Sequence, residues 1–370
     1  MQIISIVPRL PPATDGVGDY AVILARQLRQ DYNIQTHFIV CDRIWEGQNT
    51  IDGFAVSKLS KTTGKGLVSL LSQQQINTVL LHYVGYGYAK RGCPTWLIDE
   101  LENWRNSSDR RKLVTMFHEV YAAGRPLWTS AFWLFWLQKK LAADLVRLSD
   151  RIVTSKQLYS EILLDLSQGK HQLIRAIPVF SNVGEPDLAP CLSQRQPWLV
   201  VFGGSNSRRR AYLESASKIS HICRVFGIEK IIDIGTSTGL ELSDFVEIPV
   251  IEKGKLSVPE IQEIFLNSQI GFIDYNPDYL AKSGIFAAYC AHRMLIISTK
   301  GSGCEIDDLE SGRHYLVADS LVQTKLGIEQ LQAIANNAYS WYQTHNLVSQ
   351  AHIFAFQICL KHQLQLQKGY

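Results

Sequence analysis

QIGFIDYNPDYLAKSGIFAAYCAHRMLIISTKGSGCE, residues 269–305, is the stretch whose reading decides the fold. It opens on an apolar strand pattern at 269–274, passes through a polar loop at 275–282 and turns helical behind Ser283. A second strand pattern at 294–298 and a glycine turn at 301–303 close it. Ser283 suits an N-cap, because its hydroxyl can accept from a backbone N–H two or three residues on, and Gly284 lets a ligand or another chain approach the backbone. Lys282 beside free N–H groups and the positive end of a helix dipole describes an anion site, most naturally for phosphate. An ordinary capped helix beside a solvated lysine would read the same way, so the surrounding sequence has to decide.

Working outward, the same alternation recurs. At the start, the β-branched run at 3–7 reads as a buried parallel strand, followed by PRLPPATDGVGDY and a helix pattern over 20–28. Gly16 and Gly18 in that loop could bring backbone amides to a phosphate, yet the spacing is not the full G-x-G-x-x-G, and a turn whose glycines serve positive φ is the alternative. Further strands are expected at 36–40, 78–82, 112–117, 151–155 and 173–179, with a helix near 66–75. The strands at 78–82 and 112–117 end at His82 and at His118 with Glu119, so two strands deliver a histidine to the same sheet edge, where open α/β sheets bind ligands. The helix expected over 126–148 holds aromatics at 128, 132, 133, 135 and 136, too many for one face, and some must meet another domain, a partner, a lipid surface or a bulky ligand.

A polar run at 180–197, punctuated by Gly184, Pro186, Pro190 and Pro197, reads as an interdomain linker. The second half then begins as the first did, with WLVVFGGSNSRRRAYL: a strand, the turn Gly203, Gly204, Ser205, Asn206, Ser207, and Arg208, Arg209 and Arg210. Three adjacent arginines cannot all face one way on a helix, but one or two can bind phosphate oxygens in the cleft. Strands at 231–234 and 246–250, a segment at 252–256 and a helix from Ser257 and Pro259 lead into the opening stretch. Alternating strands and helices in both halves indicate doubly wound parallel α/β sheets. The tail from Gly327 is helical, broken near Asn346.

At 370 residues the chain favours two domains, and hence a cleft. The expected division is 1–182 as an N-terminal acceptor domain, 183–197 as linker, 198–345 as a donor domain and 346–370 as a helix packing back. A hydrophobic fraction of 46%, a charged fraction of 19% and a net charge of +3 describe an ordinary globular balance and argue against a dedicated nucleic-acid binder. Seven scattered cysteines without a CxxC read as small buried hydrophobes in a reducing compartment. No signal peptide is expected in MQIISIVPRL, and AFWLFWL at 131–137 is too short to span a bilayer, though not to touch one.

This order of features resembles the two-Rossmann GT-B glycosyltransferases, and within them the family-four-like enzymes that use nucleotide sugars. DGVGDY, TSK, IPVFSN, VVFGG with its basic residues, and AKSGIFAAYCAHRMLIIS carry the resemblance over most of the chain. It implies that Gly16 and Gly18 face the donor diphosphate, that Gly204, Ser205 and Arg208 to Arg210 bind it, and that Lys282, Ser283 and Gly284 hold the phosphates. It further implies that Lys255 and Leu256 lie along the nucleobase, that His118 contacts the donor sugar, and that Asn182 matches the asparagine ahead of the linker. His118, Glu119 and Lys282 are the expected catalytic residues. The family's paired glutamates, eight positions apart, fall on Leu280 and Ala288, neither of which can accept from a hydroxyl; Asp278 or Glu305 are possible substitutes. No D-x-D occurs, so arginine, lysine and helix amides, with no metal or other cofactor, are expected to stabilise the leaving group. The expected activity is transfer of a hexose from UDP- or GDP-hexose to a saccharide or lipid-linked acceptor in envelope or extracellular polysaccharide synthesis, in the cytoplasm or at the inner membrane face. A catalytically degenerate nucleotide- or carbohydrate-binding module and a nucleotide-dependent oxidoreductase are the rival readings.

Overall fold

Runs of Val, Ile and Leu without polar alternation need cover on both faces, which helices above and below a parallel sheet supply. In the computed structural model, which describes all residues except 14, 61–65, 123–129, 246, 323–325 and 360–370, such runs build one sheet in each of two compact units. The first unit joins Met1–Pro178 with Leu347–Tyr370, and the second is Val179–Asn346.

In the first unit β1 (Gln2–Val7), α1 (Gly16–Tyr32), β2 (Gln35–Val40), β3 (Thr50–Ile51), β4 (Phe54–Lys58), α2 (Gly66–Gln73) and β5 (Thr78–Tyr83) follow one another. The short α3 (Gly85–Tyr88), α4 (Thr95–Asn106), β6 (Lys112–Phe117), α5 (Ser130–Leu148), β7 (Arg151–Thr154), α6 (Gln157–Ser167) and β8 (Arg175–Ala176) complete it. The sheet order is β3-β4-β2-β1-β5-β6-β7-β8, antiparallel only between β3 and β4. The winding therefore reverses at β1, between β2 and β5, which makes the carboxyl ends of β1 and β5 the place where such a sheet opens a crevice. Val7, Phe38 and Val40 pack there against Ala21 and Ala25 of α1 and against Trp45, whose indole N–H donates to the Leu10 carbonyl at 2.7 Å.

The second unit runs β9 (Gln196–Phe202), α7 (Ser205–Phe226), β10 (Lys230–Ile234), β11 (Val250–Glu252), α8 (Val258–Asn267), β12 (Ser268–Ile273), α9 (Gly284–Ala291), β13 (Leu295–Ser298), β14 (Leu316–Val317) and α10 (Ile328–Gln343). Its sheet, β11-β10-β9-β12-β13-β14, is parallel throughout and reverses between β9 and β12. Leu199, Val201, Ile270, Phe272 and Ile297 are buried against Tyr212 and Ile219 of α7 and Ile334 of α10. α11 (Leu347–Cys359) then belongs to the first unit, where Tyr20 of α1 donates its hydroxyl proton to Gln350 Oε1 at 2.6 Å.

Several expectations are corrected. The strand expected over 173–179 is only the two residues of β8, an edge strand with Pro178 two positions on to withhold a donor. The strand expected at 246–250 appears as Val250–Glu252, and residue 246 lies outside the described residues. The loop at 275–282 contains a 3₁₀ helix, Pro277–Lys282, whose first turn is held by Asn276 Oδ1 accepting from the Asp278 amide at 3.1 Å. The run 183–197 lies in the second unit, where the buried Arg195 gathers the carbonyls of Pro190, Phe265, Ser268 and His292. Of the seven cysteines, all free, Cys41, Cys223 and Cys290 are buried, but Cys191, Cys304 and Cys359 are exposed.

Candidate functional site

In the second unit the carboxyl ends of β9 and β12 flank the switch point, and the loops that leave them carry most of the expected phosphate ligands. Ser283 is the N-cap of α9, its Oγ accepting from the Phe286 amide at 3.2 Å, which leaves the amides of Gly284 and Ile285 ahead of the intrahelical ladder. Lys282 is half-buried immediately before that cap, its ammonium 5.8 Å from the Tyr279 ring centre. Asn182 approaches the first helical residue: its carboxamide lies 3.7 Å from where a Cβ on Gly284 would be. Its Oδ1 is buried without a hydrogen-bond partner. A half-buried lysine, a capped helix N-terminus and an unsatisfied acceptor thus lie within a few residues of one helix start; a cation and helix amides are groups that bind anions, and a carboxamide oxygen is one that accepts from a hydroxyl.

The three arginines behind the β9 loop part company, because α7 turns about 100° per residue and sends each to a different side. Arg208 points inward. It is 1% exposed, pairs with Asp233 on β10, and donates to the carbonyls of Gly203 and Thr236. Tyr212 donates to the other oxygen of Asp233 at 3.0 Å. Burial raises the Asp233 carboxyl and the Arg208 charge opposes that rise. This guanidinium is a brace between two glycine loops, and it even requires Gly235, whose Cβ would stand 2.3 Å from the Gly203 carbonyl and 2.8 Å from the guanidinium. Arg209 and Arg210 are exposed; Arg209 reaches the Thr238 carbonyl at 3.2 Å and Arg210 binds the Asp274 carboxylate at 2.9 Å. Asp274 also accepts from Thr299 at 2.7 Å, so Arg210 is hooked to the head of the loop that ends in Lys282. Gly204 caps α7 and Ser205 begins it. Asp278 and Glu305 are exposed, whereas Leu280 and Ala288 are core residues at 2% and 0% exposure, so no side chain at those two positions reaches solvent. Lys255 is exposed, while Leu256 lines a groove of ≈ 330 Å³ with Trp198, Lys230, Ile232, Ile251 and Ile264, on the sheet face beside α8.

In the first unit the β1 loop differs from a bare phosphate cradle. Asp15 caps α1, its carboxylate accepting from the amides of Val17 and Gly18 at 2.9 and 3.2 Å, so the Gly18 amide is already taken by an anion. Neither Gly16 nor Gly18 has positive φ. Gly18 is required by a close approach, since a Cβ there would stand 2.3 Å from the Arg9 carbonyl oxygen, and Gly16 faces open space. Asp19, one turn in, is pushed up to about 6 by burial and then by the Asp15 charge.

The two histidines do meet. The β5–β6 register sets His82 beside Met116 and Tyr83 beside Phe117, so His118 follows directly, and its Nε2 lies 3.1 Å from His82 Nδ1 with the rings stacked at 23°. Tyr20 packs edge-on against both rings, 5.9 Å from His82 and 5.1 Å from His118. His118 and Glu119 are half-buried; His82 is fully buried, which pulls its pKa down to about 3. Tyr20 and Gln350 carry no signal in the sequence, since the pairing joins positions 330 residues apart. Among the described residues no group of three or more His, Cys, Asp or Glu side chains is placed to hold a metal ion, and no helix is long and apolar enough to cross a membrane.

No family model and no curated protein matches the sequence. Solved structures do match the fold. TarM aligns at a TM-score of 0.61 and 8% identity over 97% of this chain and 99% of its own. The lipopolysaccharide outer core galactosyltransferase WaaB, in its apo form, aligns at 0.57 and 12% over 97% and 99%. An alpha-glucosyltransferase in complex with UDP-glucose and DNA containing an abasic site aligns at 0.60 and 9% over 96% and 98%. At these identities the likeness establishes architecture: two Rossmann-like domains of the GT-B fold.

Proposed function

We propose that the protein is a glycosyltransferase that moves a hexose from a UDP- or GDP-hexose to a saccharide or lipid-linked saccharide. The observation that carries this is the α9 start beside the β9/β12 switch point, where Lys282 immediately precedes the Ser283 cap and the unsatisfied carboxamide of Asn182 approaches Gly284. As the glycosidic bond of the donor breaks, negative charge develops on the diphosphate, and fixed cations with helix amides stabilise it without reorganising. Lys282 takes that role, with Arg209 and Arg210 behind it; Arg208 shapes the loops and does not reach the ligand. His118, with Glu119 beside it, serves the sugar. The absence of D-x-D supports a reaction without a metal, and full turnover in excess chelator is the expected result. The neighbours named above, a galactosyltransferase and a glucosyltransferase solved with UDP-glucose, support a nucleotide-sugar donor. That the glucosyltransferase was solved with DNA makes the acceptor class a matter for assay, and the small net charge of +3 favours a saccharide.

α5 supports a peripheral contact with the inner membrane face. Trp133 and Trp136 are 75% and 73% exposed, and Lys140 projects one turn on. The residues before Ser130, Trp128 among them, lie outside the described residues. Tryptophan sits at headgroup depth and lysine favours anionic lipid. Cosedimentation with anionic vesicles that is unaffected by Trp133→Ala with Trp136→Ala would remove this part of the reading. A degenerate binding module is the second reading, favoured by the buried, apolar Leu280 and Ala288. Melting temperature and hydrolysis with UDP, GDP and ADP, their glucose or mannose forms, and NAD separate the readings. A transferase is stabilised by one nucleoside diphosphate and slowly releases it from its sugar; stabilisation without release in the presence of saccharide acceptors supports the module, and no response to any nucleotide refutes both.

A further inference from the structure

The transferase reading assigns nothing to His82. It is fully buried at the carboxyl end of β5, its Nδ1 faces His118 Nε2 at 3.1 Å, and its Nε2 is buried without a hydrogen-bond partner. Burial keeps it neutral, so it has one N–H and one lone pair to distribute between those two sites. A proton on Nε2 would leave a buried N–H orphaned, and orphaned N–H groups are rarer in folded proteins than under-satisfied acceptors. A proton on Nδ1 instead donates to His118 and leaves only a lone pair unsatisfied. We infer that His82 is a positioning residue that fixes the tautomer and ring plane of His118: His82 Nδ1–H donates to His118 Nε2, and the His118 proton sits on Nδ1. Tyr20, edge-on to both rings and anchored through its hydroxyl to Gln350, holds the pair in that plane. The consequence for catalysis rests on the transferase reading: a His118 ring held in one tautomer and one plane presents the same edge to the donor sugar in every encounter.

Isotope labelling of the histidine ring nitrogens in the full chain reads the tautomer directly, above the ordinary histidine titration range. The wild type is expected to show His118 protonated on Nδ1 and bare on Nε2. His82→Asn, whose amide nitrogen stands where Nδ1 stood, is expected to keep that pattern, and His82→Phe to turn His118 to the Nε2–H form common in water. A bare Nδ1 on His118 in the wild type, or no change in His82→Phe, overturns the inference. In turnover, His82→Phe is expected to lower kcat by roughly tenfold to a hundredfold with little change in donor KM, and His82→Asn to recover most of it. Equal kcat in all three, with the folds intact by circular dichroism, overturns the positioning role. Absence of turnover in the wild type would refute the transferase reading, while the ring-nitrogen spectrum still decides the tautomer.

Discussion

Replacing Arg208 by methionine should separate a structural arginine from its ligand-facing neighbours. The substitution keeps much of the side-chain volume but removes the cation opposite Asp233, which is itself 1% exposed, and removes the donors to the Gly203 and Thr236 carbonyls. Tyr212 still donates to Asp233, so the carboxylate is left with one strong partner in a site that excludes water. Breaking one side of a buried pair costs about 3–5 kcal/mol. With a urea dependence of about 2 kcal/mol per molar, that moves the unfolding midpoint of the second unit down by roughly 2 M. The assay is urea unfolding followed by tryptophan fluorescence, which Trp198 on β9 and Trp341 on α10 report from that unit. Adding Asp233→Leu should restore part of the loss, because no charge is then stranded. By contrast, Arg209→Ala and Arg210→Ala, both at exposed positions, should each cost less than about 1 kcal/mol of stability while weakening nucleoside diphosphate binding. A loss under about 1 kcal/mol for Arg208→Met, or a nucleotide affinity that falls more for it than for Arg209→Ala at equal folded fraction, would refute the assignment of Arg208 as a brace.

Lys282→Ala should reduce turnover by roughly a hundredfold or more with an unchanged circular dichroism spectrum; near-normal turnover would sink the phosphate assignment. Gly18→Ala drives a methyl to 2.3 Å from the Arg9 carbonyl and should destabilise by about 1–3 kcal/mol, whereas Gly16→Ala meets nothing within 4 Å and should be neutral or slightly stabilising in thermal unfolding. Asp19 has its folded pKa raised to about 6 from 3.8, so protonated Asp19 favours the folded state and that contribution, complete below pH 3.8, is lost as pH rises through 6. Asp19→Asn should therefore gain in urea midpoint over the wild type between about pH 4 and 6 and hold a constant advantage above; a difference that does not change with pH would contradict the burial of that carboxyl.

What the amino-acid sequence determined by itself is local and periodic. The apolar runs at 3–7, 112–117 and 231–234 form strands within a residue of their expected ends, because a stretch without polar alternation has no face to give to water. Ser283 caps α9 as expected, because a cap involves only residues within one turn of each other. The repeated order of strand, glycine loop and helix was sufficient for two doubly wound sheets. Tertiary structure decided everything that depends on which distant group arrives opposite. Helix geometry says that Arg208, Arg209 and Arg210 must diverge, but only the arrival of Asp233, 25 positions on, makes Arg208 the buried one. Gly18 is legible as a glycine in a loop, yet its reason is the Arg9 carbonyl that the chain folds against it. His82 and His118 each end a strand, and it is the β5–β6 register that places their rings 3.1 Å apart at the nitrogens. The same holds for Leu280 and Ala288, which local pattern leaves open and the folded core buries. Local pattern records which conformation a segment prefers; the partner of a charge, a ring or a missing Cβ is set by long-range packing, which no window of sequence contains.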